Sequence, residues 1–421
     1  MKNPKRAPPT PIIDNLAVLE DRSYREVQAR SVGRPLDDES VNATAEDYRV
    51  VIQFLLSYGG STATFNSYRR ELERLLHWSW LIKRASVRRL GRDDIVAFVK
   101  FTLNPPLAWI GTKNVARFVN REGQRTVNPD WRPFVVSVSK AEFRSGMSPD
   151  KSAYSPSQAA LRATFAVLSS FYDYLSQESL VSTNPVSLIR QKSQFLRSDH
   201  QQAPVRRISD LQWDYVLETA EIMASQDPMV HERTLFCMTA LFAMYLRISE
   251  LVADERSAPV MGDFRKDRDG NWWFHVTGKG NKNRTVTVSD AMLSALKRYR
   301  RSRELSPLPA ASDTIPLIPK IRGKGPVTST RLLRLLVQDC FDRSYERMCE
   351  DGLTDDAEEL KASTVHWLRH TGISEDVQTR PREHVRDDAG HASMATTDRY
   401  IESDQRERHG SGKEKPVRYF E

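Results

Sequence analysis

The chain has 421 residues, 39% of them hydrophobic and 28% charged, and 63 Lys and Arg against 55 Asp and Glu give a formal net charge of +8. That length suffices for two ordinary domains, each burying its own core, and the composition excludes a disordered chain or a membrane bundle. The positive balance favours a polyanionic partner, although a basic solubilising surface explains charge alone equally well.

Residues 1–42 carry several prolines and mixed charge without a strand pattern, so they read as a flexible or loosely helical lead-in. The opening Met1-Lys2-Asn3-Pro4-Lys5-Arg6 has no apolar core behind it and does not fit a secretory signal. From 43 to 195 helical periodicity dominates. Ser61 and Thr62 can cap a helix that carries Phe65, Tyr68, Leu72, Leu75 and Leu76 inward, with Arg69, Arg70 and Arg74 among its polar positions. A second helix is indicated by Leu161, Phe165, Leu168, Tyr172 and Leu175, with Pro156 where a first-turn proline is tolerated. Asn184-Pro185 stops the helix-rich region. Between these helices, 104–155 holds Pro105, Pro106, Gly111, Pro129 and Pro133 and reads as an irregular insertion.

The polar stretch around Lys192 to Val205 predicts an interdomain linker, set at 196–208, and Ser209 can cap the first helix of a second domain spanning 209–403. The longest apolar run, Thr234 to Leu246, is too short to span a bilayer and ends in Arg247. The period then changes. Trp273, His275 and Thr277 alternate with Phe274 and Val276, and Thr285 and Thr287 alternate with Val286 and Val288, which predicts a hairpin with a cationic tip around Lys279 and Lys282. Helices return at about 290–304, 328–349 and 364–376. Residues 404–421 form a tail with a Gly410-Ser411-Gly412 hinge and an apolar end at Pro416 to Phe420, suited to docking on a neighbouring protomer. Cys237, Cys340 and Cys349 have no metal spacing; Cys237 and Cys340 lie within apolar helical patterns, so buried free thiols in a reducing, cytoplasmic compartment are expected.

Several residues in the second domain carry chemistry only as a set. Arg247, in Tyr245-Leu246-Arg247-Ile248-Ser249-Glu250, alone reads as a helix-end arginine pairing with Glu250; its other reading is a guanidinium on a rigid helix, presenting a fork to phosphate oxygens. Lys279, in Gly278-Lys279-Gly280, alone is a solvated turn lysine, with Lys282 and Arg284 as rivals for any proton-donating role. In His366-Trp367-Leu368-Arg369-His370, His366 and Arg369 share a helix face. His366 and His370 raise a zinc alternative, but Trp367 stands where a zinc protease needs Glu, so no metal is expected. Gly390-His391 and Tyr400 complete the order; each alone reads as a packed side chain.

The ordered set Arg, Lys, His-x-x-Arg, Gly-His, Tyr resembles the tyrosine recombinase (phage integrase) family. The match runs through the second domain, about 205 to 403, and the helical first part is similar to that family's core-binding domain. The resemblance implies a mainly α, two-domain fold: a SAM-like helical core-binding domain and a mixed α/β catalytic domain with a small sheet, closing as a C-shaped DNA clamp. It implies that Arg247, Arg369 and His366 clamp a scissile phosphate, that Lys279 protonates the leaving 5′ oxygen, that His391 hydrogen-bonds the phosphate and that Tyr400 is the nucleophile. Two departures stand out. Tyr245 occupies a position where the family commonly has Gly, and Ala389 one where it commonly has Leu; the segment Glu375 to Arg386 is also unusually charged.

The activity that the resemblance implies is site-specific cutting and rejoining of DNA through a 3′-phosphotyrosine link and a Holliday junction, in service of a mobile element. No cofactor is needed. The expected partners are double-stranded DNA with inverted-repeat core sites, three further copies in a tetramer on DNA, and accessory proteins; no membrane is involved. DNA contacts are expected from Arg69, Arg70 and Arg74 on the first basic helix, from Lys282 and Arg284 at the hairpin, and from Arg331 and Arg334 on a second helix. The competing function is a catalytically silent, sequence-specific DNA-binding accessory protein of the same fold. A type IB topoisomerase, which shares the tyrosine chemistry, is disfavoured by the core-binding domain.

Overall fold

Buried acidic side chains, as much as apolar packing, tie together the first of the two units into which the chain divides, Met1–His200 and Gln201–Glu421. A computed structural model describes residues 8–32, 43–138, 142–143, 146–187, 189, 195, 207–255, 257–277, 283–398, 400 and 413.

The first unit holds α1 (Leu16–Leu19), α2 (Arg22–Val32), α3 (Ala43–Leu56), α4 (Thr62–Trp78), α5 (Arg92–Leu103) and α6 (Gln158–Gln177). Helix α4 begins where Ser61 Oγ accepts the Thr64 amide, and it buries Phe65, Leu72, Leu75 and Leu76 against Phe165, Leu168 and Tyr172 of α6. Helix α6 is capped by Ser157, so Pro156 precedes the cap and does not occupy the first turn as expected.

Two segments differ from their sequence reading. The described part of the lead-in is not loose: Ile13, Leu19 and Ala29 are fully buried. The amides of Ile12 and Ile13 donate to Glu73 Oε1 at 2.8 and 3.0 Å, which fixes the segment against α4. Within 104–155, β1 (Ile110–Gly111) pairs in parallel with β4 (Phe134–Val135), and β2 (Phe118–Arg121) pairs antiparallel with β3 (Gln124–Val127). Glu122 and Gly123 both take positive φ, the turn that matches strand twist in a two-residue hairpin. Trp109, Ile110, Phe134 and Val136 form a small core of their own, with Leu81, Ile82, Phe101 and Tyr154 packed against it.

The second unit holds α7 (Asp210–Gln226), α8 (Pro228–Ala243), α9 (Asp290–Arg301), α10 (Thr330–Glu350), α11 (Thr354–Lys361), α12 (Val365–Thr379), α13 (Arg382–Ala389) and α14 (Met394–Asp398). An antiparallel sheet of order β5-β6-β7 joins Phe264–Lys266, Trp272–Thr277 and Asn283–Thr287. Ser209 and Gln212 form a reciprocal cap at the start of α7. Phe274, Val276 and Val286 point into the core, as the alternation requires. The hairpin tip, with Lys279 and Lys282, lies outside the described residues, as do the tail (Lys413 apart) and nearly all of the expected linker.

Helix α12 approaches α8 closely: a Cβ on Gly372 would stand 2.2 Å from the Phe242 carbonyl oxygen. That contact sets the height of α12, the helix that carries His366 and Arg369. Cys237 and Cys340 are buried free thiols, and burial pushes each up to about 12. Among the described residues no helix is long and apolar enough to cross a membrane.

Candidate functional site

Arg369 is only 3% exposed, and it is held by carbonyls rather than by a carboxylate. Its Nη1 donates to the Tyr245 carbonyl, and its Nη2 donates to the Ala389 carbonyl at 2.7 Å. The same Nη2 faces His391 Nε2 at 3.3 Å. An arginine nitrogen can only donate, so the imidazole nitrogen that meets it accepts, and the ring's proton sits on Nδ1, 2.9 Å from the buried Thr397 hydroxyl. Burial first, and then the nearby charge of Arg247, lower the Arg369 pKa to about 10. A cation fixed in this way keeps unspent positive charge for an incoming anion.

Arg247 reaches the same place from a turn, not from the rigid helix expected for it. Helix α8 ends at Ala243, and Tyr245 then takes φ +49, a left-handed conformation that costs a residue with a Cβ about 1–2 kcal/mol. This is the position where the resemblance places glycine, which adopts such a φ freely. Arg247 next serves as N-cap of the short turn Ile248–Glu250. Its Nη1 donates to Glu250 Oε1 at 3.0 Å, its amide to Oε2 at 2.8 Å, and its Nη2 lies 3.5 Å from the Gly390 carbonyl.

Glu250 is the buried acid that orients this arginine. It also receives both terminal nitrogens of Arg284, each at 2.8 Å, while Arg284 Nε donates to the Asp388 carbonyl at 3.0 Å. Burial works to raise the Glu250 pKa, but the two arginines prevail and hold it below the usual value. Arg284 is thus spent inside the fold, which corrects its expected role as a DNA contact or proton donor.

Tyr400 is 7% exposed and joins a small apolar cluster with Tyr245, Ile373, Val377, Val385 and Ala389. Its ring stacks on His391, with 5.7 Å between centroids and 15° between planes, and lies 5.3 Å from the His370 ring. His370 meets His366 edge-on at 4.3 Å. His366 stands at the solvent side; partial burial, then the charges of Arg369 and Arg247, lower its pKa, which favours the neutral ring at pH 7. Gly390, at φ +65, ends α13 and turns the chain so that the His391 amide caps the Arg386 carbonyl.

The structure therefore brings together Arg247, His366, Arg369, His391 and Tyr400, while Lys279 lies outside the described residues. The remaining expected DNA contacts divide. Arg69 is buried, donating to the Asp14 carbonyl at 2.6 Å and to Asn66 at 2.7 Å. Arg74 bonds Glu71 and the Pro133 carbonyl and lies over the Phe134 ring. Both hold the first unit together and are not available to a duplex, which corrects their assignment. Arg70 is exposed beside Glu71. Arg331 and Arg334 are exposed near the start of α10, and Arg334 lines a cleft of about 190 Å³ with His366 and Arg369. A larger cavity of about 540 Å³ lies by Glu250, Arg284 and His275 and contains none of the five assembled residues.

Glu250, Asp376, Arg380 and Asp388 were not singled out as site residues from sequence, although Glu250 was the local partner considered for Arg247. Arg380 bridges Asp376 at 3.0 Å and Asp388 at 2.6 Å. For Asp376 and Arg380 the sequence signal is the unusual charge of Glu375 to Arg386. Among the described residues no three His, Cys, Asp or Glu side chains gather as a metal-holding group. Two fixed guanidiniums, two imidazoles and a phenol suit transfer of a phosphoryl group to the phenol oxygen.

No protein-family model matches the chain. It is similar to tyrosine recombinase XerC of Chlorobaculum parvum (strain DSM 263 / NCIMB 8327), with 26% identity over 246 residues, covering 56% of this chain and 66% of that protein. It is also similar to tyrosine recombinase XerC of Methylobacterium sp. (strain 4-46), with 24% identity over 329 residues, covering 77% and 88%. The chain thus spans just under two thirds of the first of these relatives. Among solved structures, the XerH site-specific recombinase bound to palindromic difH substrate, in its post-cleavage complex, aligns over 93% of each chain with a TM-score of 0.53. At 14% identity that likeness is one of fold.

Proposed function

We propose, from its similarity to the XerC tyrosine recombinases, that the chain is a site-specific DNA recombinase of the tyrosine recombinase family that cuts and rejoins strands through Tyr400. The observation that carries the proposal is the grouping of Arg247, Arg369, His366 and His391 beside Tyr400, with Arg247 held by buried Glu250, Arg369 by the Ala389 carbonyl and by His391, and the His391 ring stacked on Tyr400 before any DNA arrives.

In this reading the Tyr400 oxygen attacks the scissile phosphorus while its proton passes to neutral His366. The P–O bond to the 5′ oxygen breaks, that oxygen takes a proton from Lys279, and a 3′-phosphotyrosine bond forms. Arg247 and Arg369 meet the negative charge that grows on the nonbridging oxygens, where one preorganised donor is worth about 10²–10³ in rate. Bond energy is conserved in the phosphotyrosine, so a second strand's 5′ hydroxyl can reseal the DNA without a nucleotide cofactor. Four copies would exchange strands through a Holliday junction at inverted-repeat sites of a mobile element.

A pool of nicked duplexes with randomised sequence around the nick tests the proposal on many candidate sites at once. Loss of the short fragment beyond the cut traps the covalent product. The native chain should yield adducts that survive denaturation and share a sequence, and Tyr400→Phe should yield none. Sequence-selective binding with no adduct would instead assign the chain as a silent DNA-binding protein.

A further inference from the structure

The two carbonyls that hold Arg369 belong to Tyr245 and Ala389, residues that meet only in the folded chain. One side chain spans both segments. Arg380 Nη1 donates to the Tyr245 phenol oxygen at 2.8 Å and to Asp376 Oδ2 at 3.0 Å, and Arg380 Nη2 donates to Asp388 Oδ2 at 2.6 Å, one residue before Ala389. The Tyr245 phenol itself donates to Asp376. The other Asp388 oxygen accepts the Thr287 amide at 3.1 Å and its hydroxyl at 3.3 Å, which docks the segment on β7. From the Asp388 carbonyl the chain of contacts passes to Arg284, then Glu250, then Arg247.

We propose that Arg380, with Tyr245, Asp376 and Asp388, is a positioning clamp that fixes the spacing of the two carbonyls around Arg369 and, through Arg284 and Glu250, the direction of Arg247. The inference rests on the strand-transfer reading above and extends it to residues that touch no substrate. Tyr245 gives the clamp its reason. A glycine would make the same left-handed turn at no steric cost but would offer nothing to hold, whereas the phenol gives Arg380 and Asp376 a grip on the turn. The Arg380 side chain is 29% exposed but its partner Asp388 is buried, so the pair holds the segment in place, and a guanidinium displaced by a fraction of an ångström no longer meets the phosphate.

The test uses the full chain and a nicked duplex recovered from the randomised pool. Arg380→Met should lower the single-turnover adduct rate at saturating DNA by about 10²-fold, with DNA affinity changed less than about threefold. Should that variant not fold, Asp376→Asn removes one charge at constant size and should lower the rate about tenfold with the same unchanged affinity. A native rate in folded Arg380→Met, or equal losses of rate and affinity, would overturn the clamp. If the native chain forms no adduct at all, the strand-transfer reading fails and the clamp is judged separately. In protein labelled with ¹⁵N-arginine, the Arg369 guanidinium signal, identified by its absence in Arg369→Lys, should shift or broaden in Arg380→Met; an unmoved signal overturns the inference.

Discussion

Arg284 meets Glu250 through two hydrogen bonds of 2.8 Å, one from each terminal nitrogen. The Glu250 side chain is 4% exposed and that of Arg284 12%, so neither charge is solvated in place of the other. Removing the arginine leaves a buried carboxylate with Arg247 alone, and breaking a buried pair typically costs about 3–5 kcal/mol. Arg284→Met should lower the urea midpoint accordingly, and adding Glu250→Gln should return part of the loss, because the stranded charge goes with it. Additive losses in the double variant would sink this account.

Arg331 and Arg334 should behave in the opposite way. Both are exposed on α10, and Arg334 borders the cleft with His366 and Arg369. If each neutralises one phosphate, Arg331→Gln and Arg334→Gln should each reduce the slope of log affinity against log salt by about 0.9, without changing the melting temperature. Arg69→Gln should do the reverse: stability falls, because the Asp14 carbonyl loses its partner, and the salt slope stays. A slope that drops with Arg69→Gln would restore that residue to the DNA-contact set.

That contrast explains what the sequence made legible. Short-range order was readable: Ser61 and Ser209 announce their helices, and the alternation from Trp273 to Val288 announces β6 and β7. The two-part, mainly helical architecture came from such signals. The use of a charge was not readable, because it depends on partners far along the chain. Arg69 meets Asp14, Arg74 meets Pro133, and Arg284 meets Glu250 and Asp388. The fixed part of the lead-in was hidden for the same reason, since Glu73 takes the amides of Ile12 and Ile13 from about sixty positions away. Strands of two residues, such as β1 and β4, carry no period at all. Tyr245 was visible as a departure, but its left-handed φ and its phenol's partners were not.

Glu375 gives a stability that depends on pH. Burial, then the charges of Asp210 and Asp376, raise its pKa to about 7. Below the unfolded value of about 4.5 both states carry the proton and nothing is lost. As pH rises from 4.5 to 7, the unfolded chain releases the proton and the folded chain keeps it, so stability falls. Glu375→Gln should therefore stabilise by about 1 kcal/mol at pH 8, after allowance for the half-buried site, and by nothing at pH 4. Chemical denaturation at the two pH values checks it; an equal gain at both would show that the carboxyl is not raised.

His366 predicts a pH profile for the chemical step. Its pKa lies below the ordinary 6.5, because partial burial and the Arg369 and Arg247 charges oppose the imidazolium. As acceptor of the Tyr400 proton it must be neutral. The adduct rate should thus show an acid limb whose midpoint lies below pH 6.5. His366→Gln should lower the rate about 10²-fold or more and remove the acid limb. An acid limb that survives the substitution would assign the proton to another group.

Gly390 joins stability to the site most directly. Its φ of +65 is left-handed, and a Cβ there would stand 2.9 Å from Arg284 Cδ, so alanine meets both backbone strain and a side chain that is already fixed. Arg284 can yield only by loosening its bonds to Glu250 or to the Asp388 carbonyl, and both lead to Arg247. The carbonyls of Ala389 and Gly390, which face Arg369 and Arg247, move with the same turn. Gly390→Ala should therefore cost about 1–2 kcal/mol from the backbone alone. It should also lower the adduct rate by about 10²-fold, because both cations shift together. Melting and single-turnover cleavage on one preparation separate the two effects. Loss of stability at an unchanged rate would mean that the arginines keep their places without this turn.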